Sequence, residues 1–147
     1  MAIFEDVFSE AQMEMVAAGL DYAAGQADNI YIYFSTLGGM LYAHAFFSRD
    51  GHVLLTHQLP GVDTSVTQQQ VLLDACLREL KNLQEAGVAY NREAPVEGYL
   101  HYKVGGALDA RYSYEDIPVG EDPQWDKKLE TWMKSVQEEL DGKATQR

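Results

Sequence analysis

The sequence contains a single cysteine among its 147 residues. One thiol excludes an internal disulfide bond and a zinc site built on several cysteines, and such usage is typical of a reducing compartment. The chain also lacks an apolar run long enough to span a bilayer, and its N-terminus lacks the basic, apolar and small-residue regions of a secretion signal. We therefore expect a cytoplasmic protein that makes no contact with a membrane and depends on its hydrophobic core for stability.

Basic residues are scarce, because 11 Lys and Arg stand against 23 Asp and Glu, which gives a formal net charge of −12. A field of this sign repels nucleic acid and acidic membranes, and it attracts basic proteins or cations. The charge therefore excludes direct nucleic-acid binding as a function and favours a basic partner. A high net charge also keeps a protein soluble, so the charge indicates a basic partner only where a local binding site supports it.

Common catalytic motifs are missing as well. The chain has no nucleophile-elbow serine, no glycine loop with a lysine that could cradle phosphate, and no His-Glu-x-x-His pattern. Cys76 lies in the middle of an apolar helical stripe, where a thiol packs as a small hydrophobic group. We predict no catalytic residue, no metal ligand and no cofactor.

The spacing of hydrophobic residues changes along the chain between a helical and a strand pattern. Steps of three and four residues predict three helices, and steps of two predict five strands. The predicted order is α-β-β-β-α-β-β-α in a single domain over residues 1–147. This is an α+β fold with a mostly antiparallel sheet, made of a three-stranded meander and a hairpin. Helix limits are expected near Gly25, Ser65, Gly87 and Asp122-Pro123, and Asp141 to Arg147 should fray.

Glycine-containing turns predict the strand register. Gly38-Gly39 and Asp50-Gly51 fit two-residue loops, whereas Gly105 to Ala107 fits a three-residue loop that pairs Val104 with Leu108 and Lys103 with Asp109. The meander then has two faces. The core face carries Ile30, Ile32, Phe34, Ala43, Ala45, Phe47 and Leu54. The opposite face, expected to pack under a helix, carries Tyr31, Tyr33, Tyr42, His44, Phe46, Leu55 and His57.

The segment from 112 to 126 combines aromatic side chains with carboxylates and contains no Lys or Arg. Tyrosine and tryptophan are common at interface hot spots, and nearby carboxylates can steer a basic partner. Asp122 and Asp126 are also explained by the start of a helix, whereas Glu115, Asp116 and Glu121 are not. The predicted binding residues are Tyr112, Tyr114, Glu115, Asp116, Glu121, Asp122, Trp125 and Asp126.

Two other functions fit the sequence. In the predicted register His44 lies opposite His57 with Tyr33 beside it, so a small metal-binding or enzymatic domain could use this face, although a third ligand is missing. A general adaptor that binds peptides is the other alternative. The sequence does not separate an adaptor from a protein with one dedicated partner.

The second half of the chain resembles the YezG-like family of antitoxins. The resemblance is carried by the glycine turn at Gly105-Gly106, the alternating strand that follows, Tyr114-Glu115-Asp116, the acidic loop and Trp125. The order of helices and strands is similar over most of the chain. The resemblance implies an immunity protein that binds and neutralises a cognate toxin, which in that family is a secreted nuclease. A strongly acidic protein is suited to a basic nuclease domain, because charge steering speeds association by about 10 to 10³.

Overall fold

The computed structural model describes residues 3–145, with side chains as far as Gly142. The element order confirms the predicted α+β fold. The helices are α1 (Phe4–Ala23), α2 (Val66–Ala89) and α3 (Trp125–Thr145), and the strands are β1 (Asn29–Ser35), β2 (Tyr42–Arg49), β3 (His52–Leu55), β4 (Glu97–Lys103) and β5 (Leu108–Ser113). Two short 3₁₀ turns, Leu37–Gly39 and Thr56–Gln58, lie before and after the β2–β3 hairpin.

The five strands form one antiparallel sheet in the order β3-β2-β1-β4-β5. The predicted meander and hairpin are joined because β1 pairs with β4 as well as with β2. This position makes β1 the centre of the sheet, and six of its seven residues are buried.

The meander has the predicted register, with Ile32 opposite Ala45 and Phe47 opposite Leu54. The first connection is longer than a two-residue loop, because its strands stop at Ser35 and Tyr42 and the chain between them forms a 3₁₀ turn. A two-residue loop at Gly38-Gly39 implies the same pairing, so the faces were predicted correctly although the loop was not.

The register predicted for the second hairpin is wrong by two residues. Tyr102 pairs with Leu108, and His101, rather than Lys103, lies opposite Asp109. The loop begins at Val104, whose N–H donates to the carbonyl of Asp28 beside β1 instead of to β5. A shift of two residues preserves the alternation, so each side chain still lies on its predicted face.

One face of the sheet packs on α1 and α2 and forms an apolar core. Ile30, Ile32 and Phe34 lie there with Met15 of α1 and Leu80 of α2, and all five are fully buried. A Cβ atom on Gly98, which lies opposite Phe34, would enter the van der Waals envelope of the Phe34 ring.

The other face packs under α3, as predicted for the tyrosine-bearing side of the meander. Tyr31, Tyr33 and Phe46 are buried there, and the edge of the Trp132 ring meets Phe46 at 5.0 Å between centroids. Leu129 and Val136 complete the buried side of α3. The sheet therefore separates two cores of different composition.

Two predicted helix limits differ from the structure. Gly87 does not end α2, which continues to Ala89. Gly87 instead allows the returning chain to approach, since an added Cβ would lie 3.0 Å from the Arg92 carbonyl. Asp122-Pro123 does not start α3, which begins at Trp125. Ser65 caps α2 as expected, accepting the Gln68 N–H at 3.2 Å. Helical backbone continues from Asp141 to Thr145 in the segment expected to fray, and the last two residues lie outside the described chain.

Candidate protein-binding surface

The carboxylate-rich segment crosses the end of the sheet as an irregular loop. β5 ends at Ser113 and α3 begins at Trp125, and residues 114–124, here the acidic loop, connect them. The loop is tied to the β1–β2 turn, because Asp116 Oδ1 accepts the Gly38 N–H at 2.9 Å and its own neighbour's N–H, that of Ile117, at 2.8 Å. Gly38 has φ +65, and an added Cβ would lie 3.5 Å from the Pro118 carbonyl. The loop therefore has a fixed contact with the central strands.

Asp116 accordingly has a structural role that the sequence did not reveal. Its two accepted hydrogen bonds satisfy backbone groups of two turns that are far apart in sequence. Glu115 and Glu121 differ, because both are exposed and neither side chain has an ion-pair or hydrogen-bond partner within residues 3–142. Of the three carboxylates that a helix start did not explain, two remain without a structural explanation.

The two aromatic residues at the ends of the predicted site face opposite sides of the sheet. Tyr112 packs on α1, where its hydroxyl donates to Gln12 Oε1 and its ring meets the Phe8 ring at 5.1 Å. Burial raises the pKa of Tyr112 to about 12. Trp125 lies on the α3 side, stacked on Tyr42 at 4.3 Å, and its Nε1 donates to Ser35 Oγ at 3.0 Å. Both side chains serve packing, and the eight predicted residues do not form one surface.

The exposed part of the acidic loop includes an apolar tip that sequence reasoning missed. Val119 is 89% exposed and Tyr114 is 48% exposed. Val119 lies in a turn closed by the Glu121 N–H, which donates to the Pro118 carbonyl at 3.1 Å, with Gly120 at φ +93. Glycine at the third position of a four-residue turn, where φ is positive, is the usual signal for such a turn, and it could have revealed an exposed valine beside Glu121. An apolar contact surrounded by a polar rim is the general composition of a protein–protein interface.

The two aspartates at the end of the loop have different surroundings. Asp122 Oδ1 accepts the Gln124 N–H at 2.9 Å, which forms a local turn before the helix and not a helix cap. Asp126 is exposed in the first turn of α3 and lies close enough to Tyr42 and His44 to act on both. Burial raises the pKa of Tyr42, and the charge of Asp126 raises it further. Burial lowers the pKa of His44, and Asp126 opposes that change.

A buried charged cluster holds α3 against the sheet, and no sequence pattern indicated it. Glu97 is 7% exposed, and its Oε2 atom accepts both the Tyr33 hydroxyl and Lys128 Nζ, the latter at 2.7 Å. Burial, and then the adjacent Glu97 carboxylate, raise the pKa of Tyr33. Since every member has a partner, the cluster positions the first turns of α3, and with them the end of the acidic loop.

A groove with a volume of about 700 Å³ lies beside the acidic loop. The end of α2, the β1–β2 turn and the connection to β4 form its walls, and Asp116 lies at its rim. Val88, 85% exposed, and Pro95 give it apolar walls, while Glu85 and Arg92 add opposite charges. The groove extends the mixed apolar and acidic surface beyond the loop itself.

The predicted pairing of His44 with His57 is wrong. The β2–β3 ladder stops at Phe46 opposite Leu55, and His57 lies in the following 3₁₀ turn, exposed to solvent. His44 pairs with Tyr33 of β1, as the register predicted. Among the described residues, no group of three or more His, Cys, Asp or Glu side chains is arranged to hold a metal ion. Cys76 is buried in the core, and burial raises the pKa of its thiol to about 12.

Comparison with known proteins adds no assignment. The chain matches no model of a known protein family and no curated protein. None of the helices within the described residues has the length and apolarity needed to cross a membrane. The surface and its charge therefore remain the evidence for function.

Proposed function

We propose that this protein is an immunity protein that binds and neutralises a cognate toxin through the exposed side of the acidic loop. The observation that supports this most strongly is a loop held by Asp116 that exposes Val119 and Tyr114. Beside them lie Glu115 and Glu121, whose side chains have no partner within residues 3–142. A loop that is already ordered loses little conformational entropy on binding, so its contacts add more to affinity.

The partner is expected to be a basic protein, and a nuclease domain fits best. The chain has a net charge of −12, and a surface that binds nucleic acid is basic. Carboxylates near a partner's cationic site steer the encounter, while Val119 and Tyr114 supply the contact that slows dissociation. The resemblance of the Tyr114-Glu115-Asp116 segment and its context to the YezG-like antitoxins supports the same class of partner.

The experiment begins by purifying the tagged protein from its native host at low salt and identifying what it retains. The proposal expects a basic protein that is toxic when expressed alone and harmless when co-expressed with this protein. Association with the purified partner is then measured for the Glu115→Lys/Glu121→Lys variant. We expect its association rate to fall by about tenfold or more and to depend less on salt.

The matched control is Glu10→Lys/Glu14→Lys on the exposed face of α1, which changes the net charge by the same amount. If the two variants slow association equally, the general field of the protein is responsible and the loop is not the contact. Asp116→Ala provides a second control, because it should loosen the loop and lower stability as well as binding. Retention of partners without toxicity would contradict the immunity function.

A further inference from the structure

The two edges of the sheet, β3 and β5, are protected to different degrees. At the β3 edge the outward N–H groups of Val53 and Leu55 donate to Gln137 Oε1 and Gln58 Oε1, each at 2.8 Å. The Gln137 amide also donates to the Gly51 carbonyl at 2.9 Å. Two glutamine side chains therefore occupy the positions that an added strand would use, and an edge covered in this way does not accept another strand.

The β5 edge presents its backbone differently. Lys103 N–H donates to the Ala107 carbonyl, and Val104 N–H donates to Asp28, so odd-numbered residues of β4 bond to β5 and even-numbered ones to β1. The alternation directs the backbone N–H groups of Leu108, Ala110 and Tyr112 outward. Within residues 3–142 no side chain or loop accepts a hydrogen bond from these three N–H groups. The β5 edge is therefore open to another strand.

The side chains of β5 are self-complementary about Ala110. Asp109 and Arg111 are exposed on one face, and Leu108, Ala110 and Tyr112 are half-buried against the core on the other. If a second β5 pairs antiparallel with Ala110 opposite Ala110, each Asp109 lies opposite an Arg111 and each Leu108 opposite a Tyr112. Ala110 then forms a hydrogen-bonded pair, and the Asp–Arg pairs fall at non-hydrogen-bonded positions, where side chains are closest.

We propose that two copies of this chain associate through β5, antiparallel about Ala110, and join their sheets into one. The contact is isologous, as in most dimers, because the same strand is used on both sides. A foreign strand would have to supply its own acid and base at matching positions, whereas a second copy always has them. Arg111 lies over the Tyr99 ring at 4.7 Å, a weak contact on the exposed face that leaves the guanidinium within reach of a second copy.

This association is independent of the proposed toxin binding, since β5 ends before the acidic loop begins and each copy retains its own loop. The overall charge of −12 on each copy opposes dimerisation. At about 0.15 M salt the screening length is only about 8 Å, so most of that repulsion is removed while contacts at the edge remain.

The test is sedimentation of the purified full chain from micromolar to millimolar concentration at physiological salt. The wild type should show a reversible monomer–dimer equilibrium. Asp109→Arg and Arg111→Asp each convert both opposite-charge pairs into like-charge pairs, so each variant alone should dimerise about tenfold more weakly or worse. Both positions are exposed, and circular dichroism should show an unchanged fold.

The decisive measurement is an equimolar mixture of these two variants. One variant then carries two positive and the other two negative charges at the edge, so the proposed register forms two opposite-charge pairs in the heterodimer. The mixture should regain wild-type association, and exchange of the Leu108, Ala110 and Tyr112 amides should slow as concentration rises.

Three results would overturn the proposal. The first is a wild type that stays monomeric at millimolar concentration, and the second is a dimer that survives both single substitutions. The third is a mixture that associates no better than its components. If the three amides become protected only when a captured partner protein is added, the edge accepts that partner's strand and not a second copy.

Discussion

The two faces of the sheet are held by different forces. Under α1 and α2 the buried side chains are almost all apolar, with Phe34 and Leu80 near the centre. Under α3 the aromatic core is combined with directional polar contacts, among them the ion pair of Glu97 with Lys128 and the bond from Trp125 to Ser35. Apolar burial depends on area and shape, whereas the α3 side also depends on the position of single atoms.

This difference affects the proposed function because the acidic loop begins at the end of β5 and ends at the start of α3. Asp116 attaches its first half to the β1–β2 turn, and Glu97 with Lys128 holds the helix that follows. We expect the α1–α2 face to contribute more to stability, because it buries more apolar side chains, and the α3 face to determine where the loop ends. Substitutions on the two faces should therefore have different consequences.

The largest effect is expected on the apolar face. Phe34→Ala removes a fully buried ring that fills the space left by Gly98, and it should lower the free energy of unfolding by about 3–5 kcal/mol. Urea unfolding followed by fluorescence measures this loss. A cost below about 1 kcal/mol would show that the core closes around the vacated space, contrary to close packing on this face.

A smaller but more specific effect is expected on the α3 face. Lys128→Met leaves the buried Glu97 carboxylate without its cation, and because the lysine is 35% exposed we expect a loss of about 1–3 kcal/mol. Adding Glu97→Gln removes the unpaired charge and should recover much of that loss. If the double variant is as unstable as the sum of the single ones, the two groups are not coupled and another contact holds α3.

The sequence was sufficient to predict the parts of the fold that depend on neighbouring residues. Alternation of apolar residues predicted the two faces of the meander, and Asp50-Gly51 closes the predicted two-residue loop. The loop predicted at Gly38-Gly39 was wrong, but it implied the observed pairing. The hairpin was predicted two residues out of register because Val104 bonds to Asp28, a residue that no local pattern connects with it.

The candidate site was predictable only in part. Glu115, Glu121 and Tyr114 are exposed and therefore accessible to a partner. Tyr112 and Trp125 are only 13 positions apart in sequence, yet the loop between them passes over the end of the sheet and they pack on opposite faces. Asp116 and Glu97 have partners 78 and 31 residues away. Neither pairing could be deduced without knowing that β1 lies between β2 and β4.

The smallest expected effect is a loss of stability on the α3 face as the pH falls, and it comes from His44. Burial lowers the pKa of His44 below its ordinary value of about 6.5, with Asp126 opposing, so the unfolded chain binds a proton more readily than the folded one. The stability that neutral His44 contributes is fully present above the pKa of His44 in the unfolded chain. It is lost as the pH falls through the pKa of His44 in the folded chain. It amounts to at most about 1.4 kcal/mol for each pH unit.

His44→Gln, which cannot gain the charge, should therefore show a flatter profile than the wild type in urea unfolding between about pH 7 and about pH 5. The window stops there because Glu5 and Asp63 also have lowered pKa values and add acid sensitivity further down, where carboxylates titrate. Tyr33 and Tyr42, which adjoin His44 on this face, do not change charge in that range, because burial raises the pKa of each. Parallel profiles for the two proteins would mean that His44 is charged as readily in the folded chain as in the unfolded one, and that the α3 face admits water where the apolar face does not.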